Sequence, residues 1–177
     1  MSDVKQKVEE AKKSIDFSKN SYTVHLETSE GKINIELYPD VAPNHCKNII
    51  ALADVGFYNG IKFHRVIKEF VIQVGCPNGN GTVGAGYAID AEFNDKLHEL
   101  GVLSMARTQD PNSAGSQFFL CLGRLPHLDN QYTVFGKASD EESLQVVQKI
   151  GSVTTGVNDQ PTSEILINQA SVKTQPL

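Results

Sequence analysis

The residues best equipped for chemistry lie in Phe63-His64-Arg65-Val66-Ile67-Lys68-Glu69-Phe70-Val71-Ile72-Gln73. Two short apolar runs flank Lys68-Glu69, a pair suited to a solvent-facing turn, so the stretch reads as strand, turn, strand. A guanidinium does not give up its charge, so Arg65 has to be paired, hydrogen-bonded or held at a wet surface. Strand side chains alternate, which places Arg65 on the face of Phe63 and Gln73 on the face of Val71. An arginine and a glutamine among apolar groups could line a concave site that holds a ligand by hydrogen bonds over an apolar floor. They could also be a snorkelling surface arginine and an ordinary exposed glutamine. A second stretch, Gln117 to Leu122, repeats the pairing: Gln117, Phe119 and Cys121 share one face, while Phe118, Leu120 and Leu122 face the core.

Other chemistries find little support. Gly79-Asn80-Gly81-Thr82-Val83-Gly84 matches G-x-G-x-x-G, but a dinucleotide site needs that motif to open a helix after a strand, and Ala85-Gly86-Tyr87 is poor helix material. Cys46, Cys76 and Cys121 are widely spaced, with no C-x-x-C and no histidine at zinc spacing, so reduced thiols fit better than a disulfide framework or a metal site. His25, His45 and His98 show no ligand spacing, and His64 faces away from Arg65. A net charge of −5 without a basic stripe argues against nucleic acid. No apolar run approaches the ~18 residues that span a bilayer. Met1-Ser2-Asp3-Val4-Lys5 lacks the apolar core of a signal peptide, so a cytoplasmic protein is expected.

The elements that must position these residues follow from periodicity. With 177 residues, one domain (21–177) behind an N-terminal extension (1–20) is expected. In residues 2–16, Val4, Val8, Ala11 and Ile15 recur at helical spacing, with Glu9 and Lys13 at i,i+4. This thin amphipathic stripe either frays in solvent or packs on the domain or a partner. Tyr22, Val24 and Leu26, a turn at Ser29-Glu30-Gly31, then Ile33, Ile35 and Leu37 make a hairpin with one buried face. Ala42-Pro43-Asn44 opens a helix that buries Cys46, Ile49, Leu52 and Ala53 and ends at Gly56. Strands follow at Gly101–Ala106, Gln117–Leu122 and Thr133–Lys137. Ser139-x-x-Glu142 is a capping box for a helix that turns Leu144, Val147 and Ile150 inward and closes at Gly151, and a last strand runs from Ile165 to about Val172. Several strands without β-α alternation predict a mainly β, mainly antiparallel fold, and closing the sheet into a barrel would remove its edges.

Taken together, Phe63-His64-Arg65-Val66-Ile67 with Phe70-Val71-Ile72-Gln73, Gly115-Ser116-Gln117-Phe118-Phe119, Leu128-Asp129 and Val134-Phe135-Gly136-Lys137 resemble the cyclophilin family from about Tyr22 to Val172. The resemblance implies a closed eight-stranded antiparallel barrel capped by two helices, with a shallow groove on its outside. It also implies cofactor-free and metal-free peptidyl-prolyl cis-trans isomerase activity on proline-containing peptides and proteins, in aid of protein folding, by a monomer. Arg65 matches the catalytic arginine, with Phe70 and Gln73 beside it. Phe70, Val71, Phe119 and Leu128 match the proline pocket. Gln73, Gly81, Ala106, Arg107 and Gln117 match positions that hold the peptide. Val71 replaces the more usual methionine, and Tyr132 stands where many relatives carry histidine. His127 takes a position often filled by tryptophan, a marker for tight cyclosporin binding, so weak affinity for that drug is expected.

Overall fold

The computed structural model describes residues 2–177, so Met1, the first residue of the expected extension, lies outside the described residues. Three α-helices and eight strands succeed one another: α1 (Ser2–Lys12), β1 (Asn20–Thr28), β2 (Gly31–Leu37), α2 (Pro43–Asp54), β3 (Arg65–Ile67), β4 (Val71–Val74), β5 (Val102–Met105), β6 (Phe118–Cys121), β7 (Val134–Ala138), α3 (Glu141–Gly151) and β8 (Ile167–Pro176). A 3₁₀ turn at Pro126–Leu128 precedes β7. The strands form one antiparallel sheet in the order β3-β4-β6-β5-β7-β2-β1-β8.

The sheet curls into a half-barrel whose end strands, β3 and β8, share no ladder. What joins them is a bridge from Lys62 to Leu166 and backbone bonds such as Phe63 N to Ile165 O, 2.8 Å, in the chain leading into each strand. The concave side is filled. Leu26, Ile33, Ile35, Phe63, Ile72, Leu103, Phe118, Leu120 and Phe135 are all essentially inaccessible there, and α2 and α3 cover them with Ile49, Leu52, Val147 and Ile150. Burying each such side chain is worth roughly 1.5–3 kcal/mol. On the opposite face a smaller cluster of Val71, Val102, Phe119, Cys121, Leu125, Leu128 and Val134 collects Tyr38, Phe70, Ala106 and Tyr132. This second cluster carries the site.

Several local expectations shift. Alternation placed Phe63 with Arg65, but β3 begins at Arg65, and Phe63 turns into the main core while Arg65 stays half-buried outside it. The cap of α3 is Asp140, whose carboxylate accepts from Ser143 N at 2.7 Å, one residue beyond the expected Ser139. An ionised oxygen at the N-cap also meets the helix dipole favourably. β8 starts two residues later than expected and runs on to Pro176, because the whole of β1 is available to pair with it. The stripe of α1 is packed, not frayed: Val8 is fully buried, Ile15 nearly so, and the helix lies on α2. The expected Glu9–Lys13 pair is replaced by two at i,i+3, Lys12 with Glu9 and Lys13 with Glu10, while Asp3 and Lys7 pair at i,i+4.

Candidate active site

Strand register assembles the site. Arg65 on β3 is paired with Gln73 on β4, Gln73 with Phe119 on β6, and Phe119 with Ser104 on β5, so four residues far apart in sequence form one row across the sheet. Cross-strand partners share a face, which puts donor, acceptor and aromatic ring side by side on the outer surface. The tight turn between β3 and β4 is closed by Phe70 N to Ile67 O and places Glu69 at φ +65°, which delivers Phe70 beside the row.

The polar half of the row is a hydrogen-bonded chain. Arg65 Nη1 donates to Gln73 Oε1 at 3.2 Å, Gln73 Nε2 donates to Gln117 Oε1 at 3.0 Å, and Gln117 Nε2 donates to the carbonyls of Gly81 and Val83 at 3.2 and 3.0 Å. Among the described residues no carboxylate forms an ion pair with Arg65. A guanidinium has five N–H donors, so Arg65 keeps most of them for a ligand.

Beside this chain lies a hollow of about 140 Å³ lined by Arg65, Phe70, Val71, Gln73, Ala106, Arg107, Phe119, Leu128 and Tyr132. That is under half the ~300 Å³ at which cofactor-sized pockets begin, so it fits one small ring. Phe119, 5% exposed, forms the floor, with Tyr132 edge-on at 5.8 Å and the His98 ring stacked on it at 6.3 Å. Arg107 lies 4.5 Å over the Tyr132 ring and donates to the carbonyls of Gln131 and Thr108, which fixes both side chains. A larger cleft of about 370 Å³ adjoins the hollow, sharing Gln73, Ala106 and Arg107 with it and running past Gly81, Thr82, Tyr87, Gly115 and Gln117. Gly75 lets the two strands leave this region in close contact: a Cβ there would meet Ser116 O at 2.4 Å, and its φ of +111° suits glycine.

Of the twelve residues selected from the sequence, nine line the hollow, while Gly81 and Gln117 line the adjoining cleft. His127 lines neither; it is exposed at the rim, stacked on Phe70 with ring centroids 5.8 Å apart. Cys121 shares the face of Phe119, as alternation requires, but the second cluster covers it completely, and burial pushes its thiol up to about 12. His64 is buried, with its pKa lowered by burial and its Nδ1 unpartnered among the described residues.

The support beneath the floor escaped sequence reading. His98 is fully buried. Its Nδ1 and its backbone N–H meet Asp129 Oδ1 at 3.0 and 2.9 Å, its Nε2 meets Ser104 Oγ at 2.9 Å, and Arg124 Nη2 donates to Asp129 Oδ2 at 2.6 Å. The Arg124 hydrogen bond, with those from His98, holds the Asp129 carboxyl well below the usual carboxylate range, and burial lowers His98. Only a pair of ordinary residue types 31 positions apart could have signalled this contact.

The lining of the hollow contains no serine, cysteine, histidine or carboxylate. The hollow therefore sets an apolar floor beside a guanidinium with spare donors. Comparisons with known proteins identify the family. The family described as cyclophilin type peptidyl-prolyl cis-trans isomerase/CLD matches residues 23–172. The peptidyl-prolyl cis-trans isomerase of Synechococcus elongatus is 48% identical over 125 residues, covering 71% of this chain and 86% of that one. That of Helicobacter pylori is 46% identical over 137 residues, covering 76% and 83%. The crystal structure of a cyclophilin type isomerase from Cryptosporidium parvum, determined in the presence of the dipeptide Ala-Pro, superposes with a TM-score of 0.79 at 34% identity, covering 85% of this chain and 98% of that one. The chain belongs to the cyclophilin-type peptidyl-prolyl cis-trans isomerases, enzymes that accelerate rotation about X-Pro peptide bonds.

Proposed function

We propose that the hollow seats the proline ring of a peptide and that Arg65 donates to the prolyl nitrogen as the bond twists. Amide resonance sets a barrier of roughly 20 kcal/mol to this rotation. Halfway round, resonance is lost and the nitrogen becomes pyramidal, with a lone pair the planar amide lacks. A donor aimed there binds the twisted state better than either planar one, which is the condition for acceleration. Phe70, Val71, Phe119 and Leu128 exclude water from the ring, which disfavours the charge-separated planar form. Gln73 aims the guanidinium, and Gln117 and the cleft hold the neighbouring peptide backbone. The observation that carries this reading is the register row, which sets a guanidinium with spare donors beside an apolar, ring-sized hollow.

NMR exchange spectroscopy on a capped Ala-Pro peptide tests it. Cis-trans exchange cross-peaks are expected at catalytic concentrations of protein, and shifted peaks without exchange would leave a mere binder. One chain supplies the whole row, so a monomer suffices. The three free, buried cysteines suit a reducing compartment such as the cytoplasm. Among the described residues no helix is long and apolar enough to cross a membrane. The backbone bonds between residues 60–63 and 165–167 act as the seam of a barrel in this proposal.

The same reading covers cyclosporin. An indole in place of His127 would extend the apolar rim beside Phe70 and add an N–H donor. His127→Trp is expected to tighten inhibition at least about tenfold, or ~1.4 kcal/mol. An inhibition titration in which wild type and variant coincide would remove His127 as the determinant.

A further inference from the structure

The N-terminal helix α1 precedes the family-matched span of residues 23–172, yet it reaches the wall of the peptide cleft. Lys12 Nζ lies 5.7 Å from the centroid of the Tyr87 ring, within cation–π range. Val8, fully buried, anchors the helix alongside α2. Tyr87 lines the larger cleft, and burial together with the nearby Glu9 carboxylate keeps its hydroxyl protonated. That hydroxyl donates to Asn48 Oδ1 on α2 at 2.5 Å, and Asn48 Nδ2 donates to Gly115 O at 2.7 Å. Asn48 is 1% exposed, so neither bond is replaced easily by water. Gly115 is also pressed against Tyr87: a Cβ on it would meet Tyr87 O at 2.9 Å. Two residues on, Gln117 closes the polar chain that begins at Arg65.

We propose that α1 is a brace for the substrate cleft. Through Lys12, Tyr87 and Asn48 it sets the position of the Gly115–Gln117 wall, and so governs how peptide residues adjoining the proline are accepted. Tyr87 and Lys12 are positioning residues, acting through the wall and not on the rotating bond. The inference rests on the assignment of hollow and cleft made above, and it adds to that assignment a dependence on substrate length. A capped dipeptide reaches the hollow alone, whereas a capped hexapeptide with proline at its centre also occupies the cleft.

The test uses the full chain with Lys12→Ala and Val8→Ala, measuring kcat and KM by exchange spectroscopy on acetyl-Ala-Pro-amide and on the hexapeptide. Loss of the cation–π contact is expected to lower kcat/KM on the hexapeptide roughly two- to fivefold, chiefly through KM, and to leave the dipeptide unchanged. Amide hydrogen exchange at Gly115–Gln117 is expected to quicken in the same variants. Equal changes on both substrates, or a lower Tm with no change in the ratio between them, would overturn the brace. Should Val8→Ala fold poorly, Lys12→Met keeps the aliphatic contact, removes the charge and gives the same readout. A wild-type protein inactive on the dipeptide would instead sink the site assignment, so the two failures are distinguishable.

Discussion

Arg65→Ala is expected to lower kcat/KM for X-Pro isomerisation roughly 10²- to 10³-fold, the usual effect of removing one preorganised donor from a developing lone pair or charge. The fold should survive intact. Arg65 is half-buried, and among the described residues its side chain makes a single hydrogen bond, to Gln73, and no ion pair. Its loss frees Gln73 Oε1, which water can reach because Gln73 is itself only half-buried, so stability should move by no more than about 1 kcal/mol. Arg65→Lys separates charge from geometry. An ammonium keeps the positive charge but lacks the planar fork that, on the proposed mechanism, would serve Gln73 and the prolyl nitrogen together, and it should recover less than about a tenth of the lost rate. Exchange spectroscopy and a thermal melt on the same samples decide the matter. Near-wild-type exchange in Arg65→Ala would show that the hollow alone supplies the acceleration.

How much of this was legible depended on the range of the interaction concerned. Period-two alternation over Gln117–Leu122 correctly separated Phe119 and Cys121 from Phe118 and Leu120, because a strand's faces are fixed by its own backbone. The same rule failed at Phe63, where the strand had not yet begun. Alternation also could not show that the outer face near Cys121 is covered, since the covering residues, Leu125, Leu128 and Val134, arrive from later in the chain. The helix cap moved by one residue because Asp140 offers both an acceptor for Ser143 and a partner for Asn34 Nδ2 at 3.0 Å, the second of which is a tertiary contact. Barrel closure depends on what the end strands meet, and Lys62 meets Leu166, 104 residues on. Residues carried by motifs come together at the hollow and cleft. His98 and Ser104, packed and hydrogen-bonded beneath Phe119, carry no local pattern and were not read.

The support beneath the floor leads to the second large effect. Asp129→Ala is expected to cost about 2–4 kcal/mol of stability at pH 7 and to lower isomerase activity as well. Most of the loss arises at His98, a fully buried residue whose backbone N–H and Nδ1 both lose their acceptor. The Arg124 pair contributes less, because that side chain is 42% exposed and its attraction is screened by solvent. The dependence on pH distinguishes this cause from simple loss of packing. Asp129 has its pKa depressed in the fold, so its stabilisation is complete above the ordinary carboxylate range near ~4 and is lost as pH falls toward the folded value. His98, lowered by burial, takes up a proton more readily when unfolded, so acid destabilises through it as well, beginning below ~6.5. Glu92 and Asp140, also lowered, act alike in wild type and variant and cancel in the difference. The stability gap between Asp129→Ala and wild type should therefore narrow below pH ~4, where wild type begins to lose the Asp129 contribution. Urea denaturation at pH 7, 5 and 3.5 measures it. Activity should fall because the His98 ring, stacked on Phe119, loses the carboxylate that fixes its tilt, and the floor of the hollow loses its backing. A gap independent of pH, or a destabilised variant with full activity, would separate the Asp129 network from the site it underlies.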